Sequence, residues 1–304
     1  LHAQNKTLTF MPHWIPQAQF AGYYMALEKG FYTEMGLKVN IIHPNTSRIA
    51  TESLKNKEVD VISLFLVSAL TAQDKGVPLV NIAQISQNSA LMIVAKKSKN
   101  FKSIKDLQNK RIGIWKSGFD EIPKALIAAN HLNVTWVPIL SSINMFIEDG
   151  IDAMTVMSYN EYDQIINAGF NPDELTIFRF SELGFNIVED GLYCLDSTRQ
   201  ARAVDLEKFV QATLKGWAYA EQHREETIQV VLEWMKKEHV ATNYAHQKWM
   251  LDQMFLLMKS PSTNIKNGQL SEADFNNAQQ ILFHSGVLKN KLMFHIFYKP
   301  VIKK

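Results

Sequence analysis

Two clusters of side chains in this 304-residue chain have the types and spacing to hold a flat, polar-edged molecule. The first is His13-Trp14-Ile15-Pro16-Gln17-Ala18-Gln19. An indole face stacks on a ring, and a carboxamide reads both donors and acceptors. Trp14, Gln17 and Gln19 are therefore candidate ligand contacts, although a Trp packed under its own loop would give the same pattern. The second cluster is Tyr159-Asn160-Glu161-Tyr162. Here Asn160 can read an amine or a ring nitrogen, and Tyr159 can stack on the opposite face of a ring. The alternative is that Asn160 caps a helix and Tyr162 packs as core. Phe65, where a strand runs into a helix, and Ser117 and Gly118 in Lys116-Ser117-Gly118-Phe119-Asp120 complete the set. Both stretches precede helix starts, whose free amides can face an anion or a carbonyl. The second lacks the spacing of a nucleotide loop.

Other chemistry is poorly supported. The nine histidines include no His-x-x-x-His pair, and the closest two, His239 and His246, read as residues of a surface helix. No Gly-x-Ser-x-Gly elbow is present. The single cysteine, Cys194, excludes an internal disulfide and a cysteine-rich metal site, and reads as a small buried hydrophobe. No catalytic residue, metal or cofactor is expected.

The elements that must position these residues follow from periodicity. Leu8 to Met11 reads as a strand, and Leu37 to Ile42 as another. Between them Phe20, Tyr23, Tyr24, Leu27 and Phe31 recur at helical spacing, with Gly30 and Gly36 as stops. This β-loop-α-β unit puts the Trp14 loop at the carboxyl end of the first strand, the edge where open α/β sheets bind ligands. Strands at 59–64, 79–86 and 91–95 continue the pattern. The basic run Lys96 to Asn100 reads as a crossing into a second cycle, with strands at 111–115, 135–139, 151–157 and 175–180. Gly191 to Leu195 should return the chain to the first lobe, and from Asp205 the pattern is helical. The expectation is an α/β protein of two lobes, residues 5–95 plus 192–304 and residues 96–191. Each lobe is a mainly parallel sheet flanked by helices, and a helical C-terminal segment braces the first.

Composition narrows the partners. With 46% hydrophobic residues, 20% charged residues and a net charge of +2, neither nucleic acid nor a membrane surface is an expected partner. No apolar run is long enough to span a bilayer. Leu1-His2-Ala3-Gln4 reads as the tail of a secretory signal with Ala3 at the cleavage position, the alternatives being a cloning remnant or a naturally short N-terminus.

The pattern Trp14-x-Pro16, Ala21-Gly22-Tyr23-Tyr24, Ala26-Leu27-Glu28-Lys29-Gly30-Phe31-Tyr32 and Gly36-Leu37-x-Val39 resembles one family. It is the family of periplasmic solute-binding proteins for thiamine-pyrimidine precursors, with the related fungal pyrimidine synthases. The resemblance runs through roughly the first two-thirds of the chain. It implies a type II periplasmic-binding fold that captures a thiamine-pyrimidine precursor, or a similar small heteroaromatic, for an ABC permease. A monomer in the periplasm or secreted is the implied state. The resemblance also implies that the Ser117-Gly118 loop closes over ligand and that an acidic residue faces the pyrimidine, for which Glu189 is the candidate, sequence leaving open which of Glu189 and its neighbour Asp190 faces the cleft. The synthase branch uses a lysine that binds pyridoxal phosphate and a nearby histidine. The corresponding segment, Ser63 to Ala69, holds neither, and Phe185 to Leu195 holds only Cys194 in place of a cysteine cluster. The implied chemistry is absent while the cleft remains. The alternatives are a pyridoxal-phosphate-dependent synthase-like enzyme, and a sensing or aliphatic-sulfonate-type binder of the same fold.

Overall fold

The computed structural model describes residues 7–115, 119–140, 142–260 and 264–302. The signal-like Leu1-His2-Ala3-Gln4 and the candidates Ser117 and Gly118 lie outside the described residues. Among the described residues ten strands are formed: β1 (Leu8–Met11), β2 (Val39–Ile41), β3 (Val61–Phe65), β4 (Leu79–Gln84), β5 (Leu91–Lys96), β6 (Arg111–Trp115), β7 (Thr135–Ile139), β8 (Ala153–Met157), β9 (Leu175–Arg179) and β10 (Asp190–Leu195). They build two five-stranded sheets, ordered β2-β1-β3-β10-β4 and β7-β6-β8-β5-β9. In each sheet one strand, β10 or β5, runs antiparallel to both of its neighbours. Every residue of β3, β4 and β10 is buried, because helices cover both sheet faces. Pro138 is tolerated in β7 because that strand is an edge, bonded only to β6.

One boundary differs from the expected one. Leu91 to Ala95, assigned above to the first lobe, belongs to β5, which lies inside the second sheet between β8 and β9. Its uninterrupted apolar run fits a buried strand of either sheet equally well, so periodicity cannot place it. The basic run that looked like a crossing is a surface turn after β5, where Lys96 and Lys99 pair with Asp149. The chain passes between the sheets at residues 85–90 and again at 186–189.

Helix Ala21–Glu28 follows the Trp14 loop and crosses helix Ala203–Gln222 backbone to backbone. A Cβ on Gly216 would lie 2.2 Å from the Gly22 carbonyl oxygen, so this crossing needs glycine. That contact holds the helix, and with it the end of the Trp14 loop. The C-terminal segment does more than brace the first lobe. In helix Tyr244–Met258, Met250, Leu251 and Met254 join the larger core, while Trp249 packs against the core of the second sheet. The Trp249 indole donates to the Ser158 carbonyl at 2.9 Å. Among the described residues no helix is long and apolar enough to cross a membrane.

Candidate functional site

A cavity of about 650 Å³ opens between the two sheets, at the carboxyl ends of β1, β3, β6 and β8. The first sheet contributes the loop after β1 and Phe65 at the end of β3. The second contributes Trp115, Phe119, Met157 and the Tyr159 to Glu161 turn. The start of helix Tyr244–Met258 closes one side with Asn243, His246 and Gln247.

The loop after β1 is held by short bonds along its length. The His13 amide donates to Ser63 Oγ at 3.0 Å, and the Ala18 amide donates to Gln247 Oε1 at 2.8 Å. His43 Nδ1 donates to the Trp14 carbonyl at 2.7 Å, so its Nε2, 2.9 Å from the Tyr24 hydroxyl, accepts from it. That pairing requires a neutral imidazole, and burial holds His43 down at about 4. His13 is likewise held at about 3, first by burial and then by His43. Its ring edge meets Phe65 with centroids 4.7 Å apart, and Phe119 at 6.1 Å. The inner end of the cavity is thus an uncharged aromatic box.

Polar side chains in the wall form two ordered chains. On the first sheet, Gln17 Nε2 donates to Gln19 Oε1 at 2.6 Å, and Gln19 Nε2 donates to Asp190 Oδ2 at 3.0 Å. Burial raises the Asp190 carboxyl to about 7, against the lowering effect of the Gln19 bond. On the second sheet, Glu161 accepts from the Met157 amide at 2.9 Å and from Trp115 Nε1 and Asn160 Nδ2, both at 3.2 Å. Burial nevertheless leaves its pKa above the ordinary carboxylate value. Asn160 Oδ1 accepts from Gln164 at 3.0 Å and lies 3.1 Å from His246 Nε2. The other ring nitrogen of His246 is 2.6 Å from Asp163 Oδ2.

Trp14, Gln17, Gln19, Phe65, Tyr159 and Asn160 all line this cavity. Trp14 sits at its mouth, 37% exposed, and Tyr159 is buried in its wall. Glu189, the expected acidic contact, does not line it. Its Oε1 accepts from the Ala90 amide at 2.8 Å and from Ser89 Oγ at 3.0 Å, tying the two inter-sheet crossings together. Successive residues entering a strand point to opposite faces, so Asp190, and not Glu189, turns toward Gln19. Tyr162 packs beside Trp249, centroids 6.2 Å apart. Trp115, Phe119, Glu161, His246 and Gln247 are lining residues that the sequence reading did not select. Trp115 carried a usable signal, an aromatic at the carboxyl end of a strand. His246 carried none, because its partners Asp163 and Asn160 are more than eighty residues away.

Residues 17–227 match the NMT1/THI5-like family. The riboflavin-binding protein RibY of Chloroflexus aurantiacus is 27% identical over 222 residues, covering 69% of this chain and 61% of that protein. The formylaminopyrimidine-binding protein of Halalkalibacterium halodurans is 22% identical over 238 residues, covering 75% and 70%. A 4-amino-5-hydroxymethyl-2-methylpyrimidine phosphate synthase of Aspergillus parasiticus is 27% identical over 122 residues, covering 38% and 36%. The chain therefore spans less than two thirds of the length of several curated relatives, including 37% of a putative thiamine biosynthesis protein of Haemophilus influenzae. In structure it is similar to the periplasmic aliphatic sulphonate binding protein SsuA from Escherichia coli. The TM-score is 0.74 at 12% identity, over 96% of this chain and 97% of that one. The expected two-lobed periplasmic-binding fold is the fold observed.

Proposed function

We infer the function from membership and cleft together: the chain belongs to the NMT1/THI5-like family, and its cavity is walled by aromatic and carboxamide groups from both sheets. We propose that it captures a thiamine-pyrimidine precursor or a similar small heteroaromatic outside the cytoplasm and delivers it to an ABC permease. The observation that carries this reading is the pairing of an uncharged aromatic box with ordered amide chains on its two sides. Such a site binds by stacking and burial, and the amides fix the orientation of the ring. The names of the formylaminopyrimidine-binding and riboflavin-binding relatives support it. Residues 7–84 with 190–302, and residues 91–185, are the two bodies that would close about the crossings.

We read the protein as a monomeric binder without turnover. Ser63 to Ala69 contains neither lysine nor histidine, and no lysine lines the cavity among the described residues. A sulfonate is a poorer fit, since the described lining residues include a carboxylate, Glu161, and no Lys or Arg. One observation favours a second ligand class. About 650 Å³ lies in the range that holds drug-sized molecules, so a fused-ring heteroaromatic with a polar tail would fill it better than a lone pyrimidine.

Calorimetric titration with 4-amino-5-hydroxymethyl-2-methylpyrimidine, formylaminopyrimidine and riboflavin tests the reading. Micromolar or tighter binding of one of them is the expected result. Binding of none, or a Schiff-base absorbance with pyridoxal phosphate, overturns it.

A further inference from the structure

The amide chain on the first wall has a direction, and Asp190 sets it. Once ionised, as it is above about pH 7, the Asp190 carboxylate accepts hydrogen bonds and cannot donate them. Gln19 therefore turns its Nε2 to Asp190, at 3.0 Å from Oδ2 and 3.3 Å from Oδ1. This leaves Gln19 Oε1 to accept from Gln17 Nε2 at 2.6 Å. The far end of the chain is then Gln17 Oε1, which accepts no bond from the described residues. Sealed and unpartnered polar atoms among the described residues are Asn81 Oδ1, Glu121 Oε2, the Tyr193 hydroxyl and Trp217 Nε1. Gln17 lines the cavity, and its Oε1 is not among these sealed atoms.

We propose that Asp190 is a positioning residue that, through Gln19, fixes Gln17 with its carbonyl oxygen facing the cavity, so that the site selects ligands carrying an N–H donor on the ring edge. The proposal rests on the reading of the ligand as a small heteroaromatic. An exocyclic amine satisfies the free carbonyl, whereas an oxo group in the same place sets two acceptors against each other in a buried site. With asparagine at position 190 the chain can reverse. The new amide donates to Gln19, Gln19 donates to Gln17, and Gln17 shows an NH₂ group to the ligand instead.

The test is a panel of isosteric pairs, amino against oxo, on pyrimidine, purine and pteridine rings, titrated at pH 8.5, where Asp190 is ionised, into the wild type, Asp190→Asn and Gln17→Met. The wild type should prefer the amino member of whichever pair binds by roughly 10-fold or more, and both variants should bring the ratio close to one. The ratio separates positioning from mere loss of structure, which would weaken both members alike. Should Asp190→Asn fail to fold, Gln17→Met makes the same measurement. A wild-type preference for the oxo members, or an amino preference that survives both substitutions, overturns the proposal. Binding confined to purines or pteridines defeats the pyrimidine reading alone, because the ratio is still read on those rings. A wild type that binds no member of the panel overturns both.

Discussion

The ring of Phe119 stands edge-on to the ring of Phe65, with centroids 4.2 Å apart and planes at 87°. Phe65 ends β3 in the first sheet and Phe119 follows β6 in the second. The two halves of the molecule therefore touch through an aromatic pair in the cavity wall. Phe119 has φ +64°, a left-handed conformation that a bulky side chain adopts at a cost of about 1 kcal/mol or more. Contacts with Phe65, His13 and Trp115 offset that cost. Phe119→Gly removes the ring and the strain together. Affinity should fall roughly 10-fold, the lower end of what an aromatic contact contributes with its burial. The melting temperature of the free protein should fall less than in Phe65→Ala, which opens a cavity with no strain relieved. Calorimetric titration and scanning calorimetry read the two effects separately.

Trp14 is half-exposed at the cavity mouth while its carbonyl is pinned by His43 at 2.7 Å. An indole on a fixed backbone is available for stacking without reordering its loop. Trp14→Ala should weaken ligand binding by ~1–3 kcal/mol and leave thermal stability nearly unchanged. Equal affinities for variant and wild type would remove Trp14 from the ligand contacts.

Stability should depend on pH in a direction set by two opposed pairs of groups. Burial, above all, raises Asp190 to about 7 and Glu189 to about 8. The corresponding groups in an unfolded chain titrate near 4. The native state keeps protons the unfolded chain has lost, so this contribution is complete below about pH 4 and disappears as pH rises through 7 to 8. Buried His13 and His43 are held at about 3 and about 4. Against an unfolded value of about 6.5, their contribution is complete above that pH and lost on acidification. Between about pH 6.5 and 8 only the carboxyls change, and the melting temperature should fall as pH rises. Between about 4.5 and 6.5 the two trends oppose and the curve should flatten. The groups around Asp190 are His13, Tyr23, Tyr159, Glu189 and Tyr193, and burial keeps the three tyrosines neutral throughout this range. Asp190→Asn should therefore flatten the alkaline limb in a scanning-calorimetry series at constant ionic strength.

The first β-loop-α-β unit was legible because it is local. Its helix spacing and glycine stops fix the loop at the strand's carboxyl end without any distant contact. The same logic located the Tyr159 turn. It failed for β5, whose run Leu91 to Ala95 has no polar face to show which sheet it joins. It left the choice between Glu189 and Asp190 open, because one residue of register decides which of two adjacent carboxyls turns toward Gln19. His246 and Gln247 were out of reach for another reason. They belong to a helix whose partners in the cavity wall lie far away in sequence, and helical periodicity reports only that one face is buried.

That helix supports the last prediction. Its neighbouring residues His246 and Gln247 hold opposite walls of the cavity. Gln247 Oε1 accepts from Ala18 in the first-sheet loop at 2.8 Å, while His246 reaches Asp163 at 2.6 Å and Asn160 at 3.1 Å in the second. The grip on the first sheet is buried in the larger core through Met250 and Leu251. The grip on the second is the His246 side chain beside the cavity and Trp249, which packs beside Tyr162 and donates to the Ser158 carbonyl at 2.9 Å, so opening the cleft should break both and leave the Gln247 contact intact. His246→Ala should then raise the ligand's dissociation rate several-fold, with a smaller change in association rate, since closure is held and not steered by this pair. Small-angle scattering should show a larger radius of gyration for the free variant than for the free wild type, and equal radii once both are saturated with ligand. Unchanged dissociation kinetics together with identical scattering in all four samples would show that the helix merely packs across the cleft and does not clasp it.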